Sequence, residues 1–268
     1  DDYGYLLSGP IGDGIQIGYC AGTGGGWSTE LIAHKSQIHE VPEDISDEGA
    51  VILEPAAGGV HTALKAQIQP GDVVAVQGSG TMGLCSIAAI RQFTEAETVI
   101  AAAKYPLQRS LAEEFGADIV VEPSELKRAV RQVTGCRMIG NSLSGGSNVT
   151  IDAVGSASSI ETSLEITRPR GRLVMLGMPG VTKVDLTPLW HREIEMVGSY
   201  TYGTETLPDG SVTNSYALAF ELVREMQLDK LVTDLYPLDR YKQAIRHAAE
   251  AGSLGAIKVA FDLRGEKR

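Results

Sequence analysis

Cysteine is scarce: Cys20, Cys85 and Cys136 are the only three in 268 residues. An odd number at wide spacing builds neither a disulfide framework nor a paired-cysteine zinc knuckle. It points instead to a reducing compartment, and the expected location is cytoplasmic. Long apolar runs are missing too. No stretch approaches the ~20 residues that span a bilayer, and the start carries no signal-peptide pattern. Positive charge is in deficit, with 23 Lys and Arg against 34 Asp and Glu, a formal net charge of −11. That balance argues against nucleic acid as the main partner, and charge by itself does not identify a fold. An initiator Met is absent and Asp1-Asp2-Tyr3-Gly4 begins no recognisable element, so the sequence reads as a processed chain or a fragment. What remains is ordinary globular material, 43% hydrophobic and 21% charged, long enough for a substantial core.

Glycine, by contrast, is plentiful at 31 residues, and one stretch uses it in a pattern. Asp72 to Gly83 reads DVVAVQGSGTMG. The apolar run Val73 to Val76 leads into Gly78, Gly80 and Gly83, and Leu84 to Ile90 continues as a helix. Strand, glycine turn and helix in that order cradle the pyrophosphate of a dinucleotide. Gly78 makes the tight turn, Gly80 lets the backbone approach the phosphates, and Gly83 lets the helix pack closely on the strand. Thr81 and Met82 complete the turn, with the helix N-terminus facing the anion. In a chain this rich in glycine the bare spacing is weak, and the strand before it and helix after it give it weight. Gly22 to Gly26 lacks such a strand, and Leu31-Ile32-Ala33-His34 after it reads as a strand, so a wide turn is expected there.

Upstream, Ser46 is placed to cap a helix with Asp47 and Glu48 in its first turn. Glu54-Pro55 is expected to break that helix, and a second helix to run from Ala56 to Gln67. Downstream of the glycine turn, strands at Thr98–Ala103, Asp118–Val121, Val149–Val154, Arg172–Met178 and Ile194–Tyr200 alternate with helices. The helices are read at Pro106–Phe115, Ser124–Val133 and Ser158–Ile166. Pro106 sits just inside the first of these and Gly116 just past it, while Leu107, Leu111 and Phe115 form one apolar stripe. Near-continuous apolar strands alternating with helices predict an α/β fold, a doubly wound parallel sheet of Rossmann type. After Gly203 the rhythm changes to a turn at 207–210, a helix Ser215–Met226, a strand Leu231–Tyr236, a helix Arg240–Ala251 and a strand Ala256–Asp262. This tail is expected to pack against residues 1–54 as a second lobe.

Together these motifs resemble the medium-chain dehydrogenase/reductase family, and within it the zinc-dependent alcohol and polyol dehydrogenases. The residues that carry the resemblance are Leu53-Glu54-Pro55, Gly59-Val60-His61-Thr62-Ala63-Leu64, Gln69-Pro70-Gly71-Asp72 and Gly78-Ser79-Gly80-Thr81-Met82-Gly83. Leu111 to Asp118, Asp152-Ala153-Val154-Gly155, Gly171-Arg172-Leu173-Val174 and Ile257-Lys258-Val259 continue it, so it covers the chain from about Gly18 to the end. The resemblance implies three parts: a remnant of an incomplete, mainly-β catalytic lobe at 1–54, a dinucleotide-binding domain at 55–203, and a return to the catalytic lobe at 204–268. It also implies that a first zinc-ligating Cys and a His-Glu pair lie upstream, with no counterpart here.

Glu54 matches the position where polyol-type members place a carboxylate that reaches zinc, and carboxylates bind Zn²⁺ at ~2.0–2.2 Å. The alternative is a carboxylate at a helix end paired with a nearby base. His61 is read as helix packing or a phosphate-side contact. Cys20 is read as structural, and His34, His39, His191 and His247 fit no metal spacing. An NAD site usually carries an acidic residue about twenty positions beyond the glycines, where it holds the ribose hydroxyls. Here that position is Ala103, followed by Lys104. Losing the carboxylate removes repulsion of a 2′-phosphate and Lys104 adds attraction, with Arg109 one helical turn on. NADP is therefore expected over NAD, unless Lys104 simply points into water. By resemblance, further cofactor contacts fall at Val154, Gly155, Leu176, Gly177, Met178, Ser199 and Tyr200.

The expected activity is reversible oxidation of an alcohol to a carbonyl, hydride passing to nicotinamide, with zinc as Lewis acid on the substrate oxygen. No catalytic residue beyond the candidate metal carboxylate is identified. A zinc-free reductase of the same family, acting on an activated double bond or quinone, is the alternative, and Glu54-Pro55 counts against it. A catalytically inactive dinucleotide-binding module is a third reading. The apolar edge strand Ile194–Tyr200 leads to the expectation of a homodimer or homotetramer.

Overall fold

A computed structural model of the chain describes residues 25–31, 33, 38–140, 142–207 and 209–265. The expected structural Cys20, most of the Gly22–Gly26 turn and half of the Leu31–His34 strand lie outside them. Helix α1 (Asp47–Lys65) begins as its sequence demands, with the Ser46 hydroxyl accepting the Gly49 amide at 3.1 Å and Asp47 and Glu48 in the first turn. Its expected break at Pro55 does not occur, and one helix runs through the position. Proline inside a helix removes the bond to the carbonyl four residues back and costs about 3 kcal/mol. Ile52, Leu53, Ala56, Ala57, Val60 and Ala63 are all buried along one stripe of α1. Each large aliphatic side chain so buried contributes about 1.5–3 kcal/mol, so the packed face outweighs the lost bond.

The central sheet follows. Strand β1 (Val73–Gln77) feeds α2 (Thr81–Phe93), and β2 (Thr98–Ala102) feeds α3 (Pro106–Glu114). Then come β3 (Ile119–Val121), α4 (Leu126–Thr134), a small antiparallel hairpin β4 (Met138–Ile139) and β5 (Ser142–Leu143), β6 (Ser147–Asp152) and α5 (Ala157–Ile166). The half closes with β7 (Thr167–Met175), a short helix α6 (Thr187–His191) and β8 (Glu195–Gly198). Six strands lie in the order β3-β2-β1-β6-β7-β8, every pairing parallel. The order reverses between β1 and β6, which is the topological switch point of a doubly wound sheet. The expected Rossmann fold is present. Strand ends are shorter than expected: β6 stops at Asp152 and β7 at Met175, because the chain turns at Gly155 with φ +78° and at the Leu176-Gly177 amides.

The remaining elements are a hairpin of β9 (Thr204–Thr206) and β10 (Val212–Asn214), α7 (Ser215–Met226), β11 (Val232–Tyr236), α8 (Tyr241–Ala249), α9 (Ala251–Leu254) and β12 (Lys258–Phe261). Strands β11 and β12 pair in parallel, separate from the main sheet. Helix α7 has the bounds expected of it, and its buried Leu218, Ala219, Leu222 and Val223 share a core with α1 and α2. No helix among the described residues is long and apolar enough to cross a membrane.

Candidate functional site

The glycine turn sits where β1 hands over to α2. Gly78 has φ +94°, and its amide donates to the Ala102 carbonyl of β2 at 3.2 Å. A Cβ on Gly83 would stand 1.9 Å from the Gly78 carbonyl oxygen, so the helix can approach the strand only without a side chain there. Gly80 is different. It caps α2 with no side-chain hydrogen bond, and a Cβ built on it meets nothing within 4 Å. The turn thus leaves an open space in front of the free amides of a helix N-terminus, the arrangement that receives a phosphate.

The other predicted residues lie along the same edge, at the carboxyl ends of parallel strands. Ala103, after β2, is fully buried and donates its amide to Val121 at 2.9 Å. Lys104 is exposed, with its ammonium 5.3 Å from the centre of the Tyr105 ring. Arg109 does not stand free beside it. Its guanidinium donates to the Lys104 carbonyl at 3.1 Å, the Ala103 carbonyl at 3.4 Å and Glu122 at 3.0 Å. Arg109 therefore braces the turn that carries Lys104. Val154 and Gly155 follow β6, and Leu176, Gly177 and Met178 follow β7; Met178 is largely exposed. Ser199 follows β8 and is buried, its hydroxyl 2.9 Å from that of Thr62 on α1, while Tyr200 beside it is exposed.

Lys258 also lies at this edge, though its spacing gave it no role of its own. Thr81, the first residue of α2, donates its hydroxyl to the Ile257 carbonyl at 3.2 Å, which brings the start of β12 against the glycine turn. The charge of Lys258, the next residue, acts on the Cys85 thiol one turn into α2, and Lys258 makes no ion pair among the described residues. Ile257-Lys258-Val259 belonged to the family resemblance, but sequence alone does not show that this strand returns to the β1–α2 turn. The detectable signal is a lone lysine in an otherwise apolar strand. Cys85 itself is inert: burial pushes its thiol up to about 12.

Glu54 lies on the exposed side of α1. Its charge reaches both Cys85 and the Tyr216 phenol, whose ionisation is pushed up first by burial and then by its hydrogen bond with Tyr202. Tyr216 stacks on His39 at 4.2 Å and meets Tyr202 edge-on at 4.8 Å, so Glu54 stands beside an aromatic cluster. No group of three or more His, Cys, Asp and Glu able to hold a metal occurs among the described residues. Zinc takes three or four protein ligands, and Glu54 alone does not make such a centre. His61 has its Nδ1 2.8 Å from Glu205 of β9, a pairing that joins α1 to the β9–β10 hairpin.

Comparison with known proteins agrees with this geometry. The family model described as zinc-binding dehydrogenase matches residues 81–215, half of the chain. Sorbitol dehydrogenase of Bacillus subtilis (strain 168) is 26% identical over 216 residues, covering 78% of this chain and 56% of that protein. L-idonate 5-dehydrogenase of Vitis vinifera is 26% identical over 250 residues, covering 90% of this chain and 63% of its own. Among solved structures, 2R,3R-butanediol dehydrogenase from Bacillus subtilis superposes with a TM-score of 0.71 at 23% identity, over 89% of this chain and 64% of the other. A zinc-binding dehydrogenase from Sinorhizobium meliloti 1021 bound to NADP gives 0.69 at 24%, over 89% and 66%. At such identities the structural likeness shows the fold. The chain spans 56% and 63% of the length of these two relatives.

Proposed function

Because the chain belongs to the zinc-binding dehydrogenase family, we propose that its sheet edge holds a nicotinamide dinucleotide, and that the protein moves a hydride between NAD(P)(H) and an alcohol or carbonyl substrate. The observation that carries this reading is convergence. The open glycine turn and the turns after β2, β6, β7 and β8 line one edge of a parallel sheet, across its switch point. In this reading residues 55–203 form the cofactor domain, and 1–54 with 204–268 belong to the catalytic lobe.

Each part of the chain has a task. The α2 N-terminus takes the pyrophosphate, with Lys258 supplying the nearby positive charge from the other lobe. Lys104 meets a 2′-phosphate where Ala103 offers no repelling carboxylate, which favours NADP over NAD. The turns after β6, β7 and β8 would hold and orient the nicotinamide, which when bound would supply the hydride acceptor or donor for the substrate carbon. Glu54 is the residue of this chain that would face a zinc ion, whose remaining ligands are not among the described residues.

The experiment is a paired assay of this chain and of any longer form of the protein. The 268-residue chain is expected to bind cofactor without reducing it when sorbitol, xylitol or simple alcohols are added. A longer form is expected to hold zinc and to reduce the cofactor, and to lose most of that activity as Glu54→Ala. Alcohol-dependent reduction by the 268-residue chain alone would contradict the need for further zinc ligands, a longer form that holds zinc yet reduces no cofactor with any alcohol would contradict the assignment, and a zinc-free, active longer form would favour the reductase alternative.

A further inference from the structure

Asp152 ends β6 at the switch point and is fully buried. Its Oδ1 accepts the amide of Val154 at 2.8 Å and that of Gly155 at 3.0 Å. Its main-chain carbonyl accepts the amides of Leu176 at 2.9 Å and Gly177 at 2.8 Å. One residue therefore ties the turn after β6 to the turn after β7. The other carboxylate oxygen, Oδ2, is buried with no hydrogen-bond partner among the described residues. A buried carboxylate with an unsatisfied oxygen is costly, and a fold that only needed filling would place an apolar side chain here.

The two turns meet backbone to backbone. A Cβ on Gly177 would stand 2.4 Å from both the Gly155 nitrogen and the Val154 carbonyl carbon, so no side chain can wedge between them. Their spacing is set by the bonds that converge on Asp152. A dinucleotide sheet of this order has two mononucleotide halves. The adenosine ribose is held after β2, which leaves the β6–β8 half for the nicotinamide nucleotide.

We propose that Asp152 is a positioning residue for the nicotinamide half of the cofactor: it touches no cofactor atom and acts by holding the Val154-Gly155 and Leu176-Gly177 turns in register. The proposal rests on the dinucleotide site described above. Its signature is selectivity, because a residue that merely supported the fold would affect both halves alike.

Binding of NADPH and of 2′,5′-ADP, which fills only the adenosine half, separates these cases in wild type, Asp152→Ala and Asp152→Asn, with thermal unfolding as a check on folding. Asp152→Ala removes two hydrogen bonds and is expected to weaken NADPH about tenfold while 2′,5′-ADP changes less than about twofold. Asp152→Asn keeps an oxygen for both amides and is expected to stay within about threefold of wild type for both ligands. If Asp152→Ala does not fold, Asp152→Ser takes its place, its shorter hydroxyl unable to serve both amides. Equal weakening of both ligands, no weakening of NADPH, or selective loss in Asp152→Asn would each overturn the proposal. Wild type that binds 2′,5′-ADP but gains nothing from the nicotinamide half, or binds neither, would instead refute the dinucleotide reading beneath it.

Discussion

Gly80 and Gly83 stand three residues apart in one turn and answer to different constraints. A side chain at Gly83 would collide with the Gly78 carbonyl at 1.9 Å, whereas one at Gly80 would meet nothing within 4 Å. Gly83→Ala is therefore expected to lower stability by at least about 2 kcal/mol, read from urea unfolding. Gly80→Ala should unfold like wild type and yet bind cofactor about tenfold or more weakly, since its methyl enters the phosphate space. Cofactor binding by Gly80→Ala at wild-type strength would show that the open space is not the phosphate site. At this scale the sequence was legible where geometry is local: the tight turn at Gly78 and the close packing at Gly83 follow from their spacing. It was not legible where a role depends on distant partners. Arg109 looked available to a phosphate, but Glu122, thirteen residues on, and two main-chain carbonyls occupy it. Asp152 and Lys258 were visible only as letters in motifs, because their neighbours come from other strands.

Among the elements, the hairpin of β9 and β10 is joined to α1 through one buried carboxylate. Glu205 is 2.8 Å from His61 of α1 and accepts the Ser215 hydroxyl at 2.6 Å at the start of α7. Burial alone would push its carboxyl up, but the hydrogen bonds from His61 and Ser215 and the charges of His61 and Lys65 prevail and hold it below its ordinary 4.5. A carboxyl depressed in the folded state adds stability above its unfolded value, and that stability is lost as pH falls through the folded value. The stability advantage of wild type over Glu205→Gln should thus be complete at neutral pH and shrink as pH drops below 4.5, measured by thermal unfolding across that range. A difference that is flat with pH would remove Glu205 as the charged member of the joint. The strands of the sheet and the helices α2 to α5 were readable from periodicity, as was α7, whereas the five-residue α6 was not. The hairpins β4–β5 and β9–β10 were not, because strands of two or three residues are too short to show alternation. Pro55 misled for the opposite reason, since a local rule for breaking helices yields to a stripe of buried side chains that only the tertiary fold supplies.

For the molecule as a whole, the sheet ends on β8, whose outer edge no described strand covers. Met196 on β8 is partly exposed, and the preceding α6 presents Trp190 at 81% exposure. An uncovered apolar edge is a surface that proteins usually pair or shield, and we expect β8 to meet its counterpart in a second copy. Sedimentation should give a dimer or tetramer in solution, and Met196→Lys should shift it toward monomer; a wild-type monomer would count against the pairing. The central claim is the cofactor site with its preference for NADP, and the most direct test is titration of the chain with NADPH and with NADH, followed by protein fluorescence. NADPH is expected to bind saturably and at least about tenfold more tightly than NADH, with Lys104→Ala erasing most of that difference. Saturable binding of neither cofactor, or NADH binding as tightly as NADPH, would contradict it.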